Sequence, residues 1–332
     1  MAVTMSLPLD SGYKFNAWQP RPAPPDPSTI DAEMRHVERA MKAVVENGEI
    51  TPARKAAAYH LATGGSRTRA RLAIASGIGW ETPFRHRVAA AAACELLHNA
   101  SLVHDDISDA DTMRRGRPAV WHLYGRDTAL CTGDLLLASA FLVATTIDDA
   151  ASSQELVGQL AEQSIRVIGG QSLELAARGE GRTFSVTEYV RATCAKTAPM
   201  FELPLRAGAL SARMAAPTAR KLRTLSDAIG LAYQILDDLD DVPPTRNGNG
   251  SQRQPHHLHA WYRHRPGARP SVLTSEIRHR CLWHARAALN RASALTHELP
   301  APLETELCAL IRRLAAKADH HAQAAISSPG SL

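Results

Sequence analysis

Aromatic residues make up only 5% of this 332-residue chain, and they are not interleaved with a basic face. The formal net charge of +5 comes from dispersed arginines, whereas nucleic-acid surfaces gather cations around stacking rings, so nucleic acid is not an expected partner. Cysteine is also scarce. Cys94, Cys131, Cys194, Cys281 and Cys308 are odd in number and lack metal-ligand spacing, which predicts buried thiols in a reducing cytosol, without a disulfide framework or a zinc site. The longest apolar run, Leu135 to Ile147, falls short of the ~20 residues of a membrane span. Asp10 interrupts the N-terminal apolar stretch before it reaches signal-peptide length. Strand alternation and hairpin turn signals are missing throughout. These absences leave an all-α, cytoplasmic chain without a membrane span, and the 45% hydrophobic content is enough for a large core.

Residues 1–27 hold six prolines and little apolar periodicity, which predicts a flexible N-terminal arm. One helical domain over 28–327, with helices around a central cavity, is expected to follow. Ser28 and Asp31 give an N-cap signal, and Ile30, Met34, Val37, Met41 and Val44 recur at helical spacing until Gly48. Further helices are expected over Pro52–Thr63, Arg67–Ser76, Pro83–His104, Thr128–Ile147, Gln154–Ala177, Val186–Leu210, Ala216–Asp238, Ser271–His297 and Leu303–Ala325. Pro199 and Pro204 should interrupt the Val186–Leu210 helix and free the carbonyls of Ala195 and Met200. A polar loop, 242–270, is expected between two of the later helices.

The chain is organised around two apolar helices that close on acids. The first, from Leu96, ends in Asp105, Asp106 and Asp109; the second, from Gly230, ends in Asp237, Asp238 and Asp241. Asp105 and Asp109 stand four apart on one helical face, where like charges repel, and acids at a helix C-terminus oppose its dipole. A cation would relieve both penalties. Mg2+ suits the position because it takes one or two carboxylates and completes its shell with substrate phosphates. A solvated acidic turn is the alternative for either end taken alone.

Several motifs accompany these ends in order: Gly64-Gly65-Ser66-Arg67-Thr68-Arg69, Arg114-Arg115-Gly116, Gly133-Asp134, Gly170-Gln171 and Lys196-Thr197. Together they resemble the trans-polyprenyl diphosphate synthases, the polyprenyl synthetase family, over roughly residues 60 to 242. The resemblance implies an isoprenoid-synthase helical bundle, a homodimer, and joining of isopentenyl diphosphate to an allylic diphosphate. It also implies about three Mg2+ ions, which act as Lewis acid and template. Asp105, Asp109, Asp237 and Asp241 would be ligands, with Asp106 and Asp238 behind them or facing outward. Arg114 and Lys196 match positions that grip the allylic diphosphate; Arg69, His98 and Arg115 match the isopentenyl pocket. Gln171, Glu174, Thr197 and Gln234 match polar cavity positions, with Glu174 standing where aspartate is usual.

Two departures stand out. Ser66 occupies a position where the family has lysine, and 242–270 contains no lysine although the family closes that region over the diphosphates. Arg246, Arg253, Arg263 and Arg265, with His256, His257 and His259, are either a substitute basic lid or a solvated insertion. Irregular prenyl coupling, class I terpene cyclisation and a non-catalytic partner subunit are the competing readings. Ala100 and Ser101, one turn before Asp105, are small where bulky aromatics would stop chain growth. The floor is therefore expected lower, near Leu97 or Cys94, which fits a product of geranylgeranyl length or longer.

Overall fold

Alanine does most of the packing at the centre of the molecule. Val88 and Ala89 to Ala93 are all buried, because small side chains let neighbouring helices approach this one from every side. The computed structural model describes residues 30–179, 185–210, 214–240 and 270–326. Among them the chain forms α1 (Ile30–Glu46), α2 (Pro52–Ala62), α3 (Thr68–Gly79), α4 (Phe84–Asp109), α5 (Val120–Tyr124), α6 (Arg126–Ala144), α7 (Ala150–Gly179), α8 (Val186–Lys196), α9 (Pro199–Ala207), α10 (Ala216–Asp240), α11 (Pro270–Thr296) and α12 (Ala301–Ile326). The alanine-rich α4 packs against α1, α3, α5, α6, α7 and α9. A second apolar cluster joins α10, α11 and α12 through Leu225, Ile229, Leu236, Cys281, Leu289 and Leu307. Residues 1–27, Ser28, Asp241 and 242–269 lie outside the described residues.

The all-α expectation holds, with three local differences. First, a two-stranded antiparallel hairpin, β1 (Met113–Arg114) and β2 (Arg117–Pro118), follows α4, with Arg114 opposite Arg117. Its turn residues Arg115 and Gly116 both have positive φ (53° and 74°), as a two-residue primed turn requires. Strands this short leave no alternation to read.

Second, the helix expected over Val186–Leu210 is two helices. The Thr197 amide closes α8 on the Thr193 carbonyl at 2.8 Å, while the Phe201 and Glu202 amides start α9 on the Ala198 carbonyl at 2.9 Å. Pro199 occupies the first turn of α9, where its missing N–H costs nothing, so the proline starts a helix and does not kink one. Ser185 and Glu188 fix the start of α8 with a reciprocal capping box.

Third, α6 is 19 residues long and apolar enough, by length and composition, to cross a membrane. The uninterrupted apolar run understates it, because Thr128, Thr132 and Gly133 extend the helix. Its face through Ala129, Leu136, Ala140 and Val143 is buried, whereas Leu130, Cys131 and Leu142 have exposed side chains. The expectation of buried thiols therefore fails at Cys131. Cys94 and Cys281 are buried, Cys194 and Cys308 are half-buried, and all five are free.

Candidate active site

The last turn of α4 carries the first acidic end inside the helix, and its two leading aspartates face different surroundings. Asp105 lies 3.7 Å from the ammonium of Lys196, at the end of α8. That ammonium also donates to Glu174 of α7 at 3.0 Å. Burial raises the Asp105 carboxyl to about 6; Lys196 opposes the shift, and Asp109 and Glu174 add to it. The crowded carboxylates thus leave a deficit of positive charge. Asp106 is fully buried, which leaves the placement behind the ligands of the two expected for it: the Arg114 guanidinium bonds its Oδ1, with Nε at 2.8 Å. Its Oδ2 is buried without a hydrogen-bond partner.

The second end divides similarly. Asp238 is buried, which again leaves the inward of its two expected placements, and it accepts from Tyr189 at 2.7 Å and from Gln234 at 2.8 Å. Thr197 donates to Gln234 at 2.8 Å, so the residues after Lys196 are tied to the helix bearing the second acids. Glu174, Tyr189, Lys196, Gln234 and Asp238 line one small cavity. Asp237 has its side chain exposed at the rim, yet partial removal of its carboxyl from water raises it and Asp240 adds to the rise, while Lys317 and, more weakly, Arg114 and Arg69 oppose it.

A cationic group sits beside these acids. Arg69 of α3 is buried and lies over the rings of Phe201 (4.7 Å) and Tyr233 (5.4 Å), with its Nε unbonded. Arg115 donates to the Gly64 carbonyl and lies 3.4 Å from Asn99 Oδ1. Gly65, at φ 124°, makes room for that guanidinium: a Cβ there would come within 2.8 Å of Arg115 Cζ. Burial, and then Arg69 and Arg115, push His98 well below its ordinary value, so it is neutral. Ser66 is exposed and shares a hydrogen bond with Thr68 at 2.9 Å. Both polar ends of the Gln171 amide are buried without partners. Ala100 and Leu97 belong to the packed core, and Ser101 folds its hydroxyl back onto the His98 carbonyl at 2.8 Å.

Tyr189, Asn99 and Glu95 contact these groups and were not singled out by the sequence. Asn99 joins His60 (3.1 Å) to Arg115, and Glu95 accepts from the Ala70 amide (3.2 Å). Asn99 directly follows His98, but Tyr189 sits on a separate helix where no spacing ties it to Asp238.

The donor set suits a hard divalent cation. It consists of carboxylate oxygens, one of them orphaned, around an Asp105 that burial and like charges keep from ionising easily. Among the described residues, no three acidic, His or Cys side chains converge enough to hold an ion unaided. Phosphate oxygens would have to complete the shell.

This fold also occurs in solved structures. The decaprenyl diphosphate synthase from Rhodobacter capsulatus superposes with a TM-score of 0.74 at 22% identity, covering 87% of this chain and 97% of that one. Residues 51–252 match the family model for polyprenyl synthetase, and the chain belongs to that family. A short chain isoprenyl diphosphate synthase from Methanocaldococcus jannaschii is 33% identical over 56% of this chain and 57% of its own length. The farnesyl diphosphate synthase of Geobacillus stearothermophilus is 32% identical over 64% of this chain and 74% of its own. The match thus spans little more than half of the methanogen relative.

Two outcomes are expected. A Cβ on Gly170 would come within 2.5 Å of the Lys196 amide nitrogen, whereas nothing lies near Gly169. Gly170→Ala should therefore cost about 1–3 kcal/mol in urea unfolding, while the neighbouring Gly169→Ala should be neutral or stabilising by about 0.5–1 kcal/mol. The second concerns pH. Asp105 takes up its proton at about 6 in the folded chain, above the ordinary carboxylate value, so its contribution to stability falls as pH rises through that window. In metal-free protein, Asp105→Asn should raise the Tm at pH 7, and the gain should fade as pH drops below about 6 in thermal melts.

Proposed function

We propose that the chain is a Mg2+-dependent trans-prenyltransferase that joins isopentenyl diphosphate head-to-tail to an allylic diphosphate, with a product of geranylgeranyl length or longer. The observation that carries this reading is Lys196, held between Asp105 and Glu174 in the cavity shared with Gln234 and Asp238. There a diphosphate would meet an ammonium and two acidic helix ends. Mg2+ bound by Asp105, Asp109, Asp237 and Asp241 would absorb charge on the departing diphosphate. Lys196 and Arg114 then grip the leaving group, trading carboxylate partners for phosphate oxygens. Asp106 and Asp238 act from behind, one aiming Arg114 and the other holding Gln234 and Tyr189. Thr197 and Gln234 present oxygen dipoles to the allylic cation. Arg69, Arg115 and neutral His98 receive isopentenyl diphosphate, and Gln171 is a polar cavity position with unpaired amide atoms. The released diphosphate takes the final proton, so no protein base is needed.

Homodimerisation belongs to this proposal. Exposed Leu130 and Leu142 on α6, and Ile165, Ile168 and Leu173 on α7, give a second copy apolar surface to cover. The lysine missing at Ser66 favours one rival, irregular coupling or cyclisation of allylic units, because it weakens the isopentenyl pocket.

Purified protein with Mg2+, isopentenyl diphosphate and each allylic starter should give prenyl diphosphates of geranylgeranyl length or longer, read by mass spectrometry, and chelation should abolish them. Farnesyl diphosphate as sole end product would overturn the length assignment, and cyclic or branched products would establish the rival. Ala100→Phe should shorten the product; an unchanged profile removes Ala100 from the hydrocarbon path. Ser66→Lys should lower KM for isopentenyl diphosphate and leave that of the allylic partner unchanged. The reverse pattern would put Ser66 in the other pocket.

A further inference from the structure

The rim of the second acidic end is held by a helix from the far end of the chain. Lys317 of α12 places its ammonium 2.5 Å from Asp240 Oδ2 and 3.9 Å from Asp237 Oδ1. Asp240 is also approached by His321, whose Nε2 lies 3.0 Å from its other oxygen. Arg278 of α11 lies 3.3 Å from the opposite ring nitrogen of His321. Arg278 can only donate, so His321 accepts through Nδ1, and its Nε2 stands beside Asp240 without a formed hydrogen bond. Asp240 thus sits between His321 and Lys317, and its contact with Lys317 keeps that ammonium beside Asp237.

We propose that Lys317 is a positioning residue that stands in for the divalent cation at Asp237, so that its competition sets the metal concentration at which the second acidic end fills. This rests on the prenyl-transfer reading, which makes Asp237 a metal ligand. An ammonium and a divalent ion cannot share one carboxylate cheaply, because each cation repels the other. Asp240 provides the place to which Lys317 withdraws: the lysine already makes its shorter contact there and needs no new partner when Asp237 turns to the metal. The pairs are partly exposed, so the effect is modest, about two- to fivefold in apparent metal affinity.

The test uses thermal melts of the full chain titrated with Mg2+ at fixed inorganic pyrophosphate. Lys317→Met should lower the Mg2+ midpoint about two- to fivefold and lower the Tm without metal, since it takes the ammonium away from Asp237 and Asp240. Lys317→Arg should keep a midpoint near wild type. Asp240→Asn should raise the midpoint by releasing Lys317 onto Asp237, and this rise should shrink when Lys317→Met is also present. If wild type melts identically with and without Mg2+ and pyrophosphate, the prenyl-transfer reading falls and takes this one with it. If wild type responds but Lys317→Met leaves the midpoint unchanged or raises it, the assignment of Lys317 alone is overturned. A drop in the metal-free Tm with no movement of the midpoint would overturn it as well, showing Lys317 to be purely structural.

Discussion

The ammonium of Lys196 is the constraint on which the arrangement depends. Asp105 and Glu174 arrive on two different helices, and bringing their negative charges together out of water is unfavourable unless a cation stands between them. Lys196 does this at 3.0 Å from Glu174 and 3.7 Å from Asp105. It reaches that point because α8 stops there. Pro199 begins a new helix, and Thr197 bonds sideways to Gln234. Gly170 lets α7 lie directly against the Lys196 backbone. The helix break, the glycine and the threonine therefore serve one purpose, which is to hold a lysine between the acids of α4 and α7, on the cavity that Asp238 of α10 also lines.

The parts of this that could be read from the sequence were those governed by periodicity and by short motifs. Apolar spacing marks α4 and α10, and their acidic ends are explicit in the letters. The break after Lys196 was signalled by Pro199, but a proline in a helical pattern is read equally as a kink or as a first turn. Neighbouring amides that bond to Ala198 decide between them. The hairpin at Arg114–Arg117 is too short to show alternation, although Arg-Gly with positive φ at both positions is its whole physical basis. Tyr189, Lys317 and His321 were not legible. Their roles come from tertiary approach between helices far apart in sequence, and no local spacing encodes that. The inward placement of Asp106 and Asp238 has a simpler origin: adjacent residues on a helix point about 100° apart, so when one acid faces the cavity its neighbour turns toward the packing.

The cations of the site fall into two electrostatic states, and the difference follows from their partners. Arg114, Lys196 and Lys317 are each balanced by carboxylates: Asp106, Glu174 with Asp105, and Asp240. The described partners of Arg69 are ring faces, and those of Arg115 are neutral oxygens. Ring faces and carbonyls orient a guanidinium without cancelling its charge, so this second group keeps a positive potential that a carboxylate would have quenched. The neutral state of His98 is a consequence, since two nearby arginines and burial leave no room for a third charge.

On the proposed reading this division separates the two substrates by charge economy. An anion entering beside Arg69 and Arg115 meets uncompensated charge and needs no metal. A diphosphate entering beside Lys196 must displace carboxylates from their cations, which is favourable only if divalent ions arrive to occupy those carboxylates. The metal requirement then attaches to one diphosphate and not to the other. The two acidic ends have to lie on the allylic side, where the carbon–oxygen bond breaks, because only there does the leaving group gain charge as the reaction proceeds.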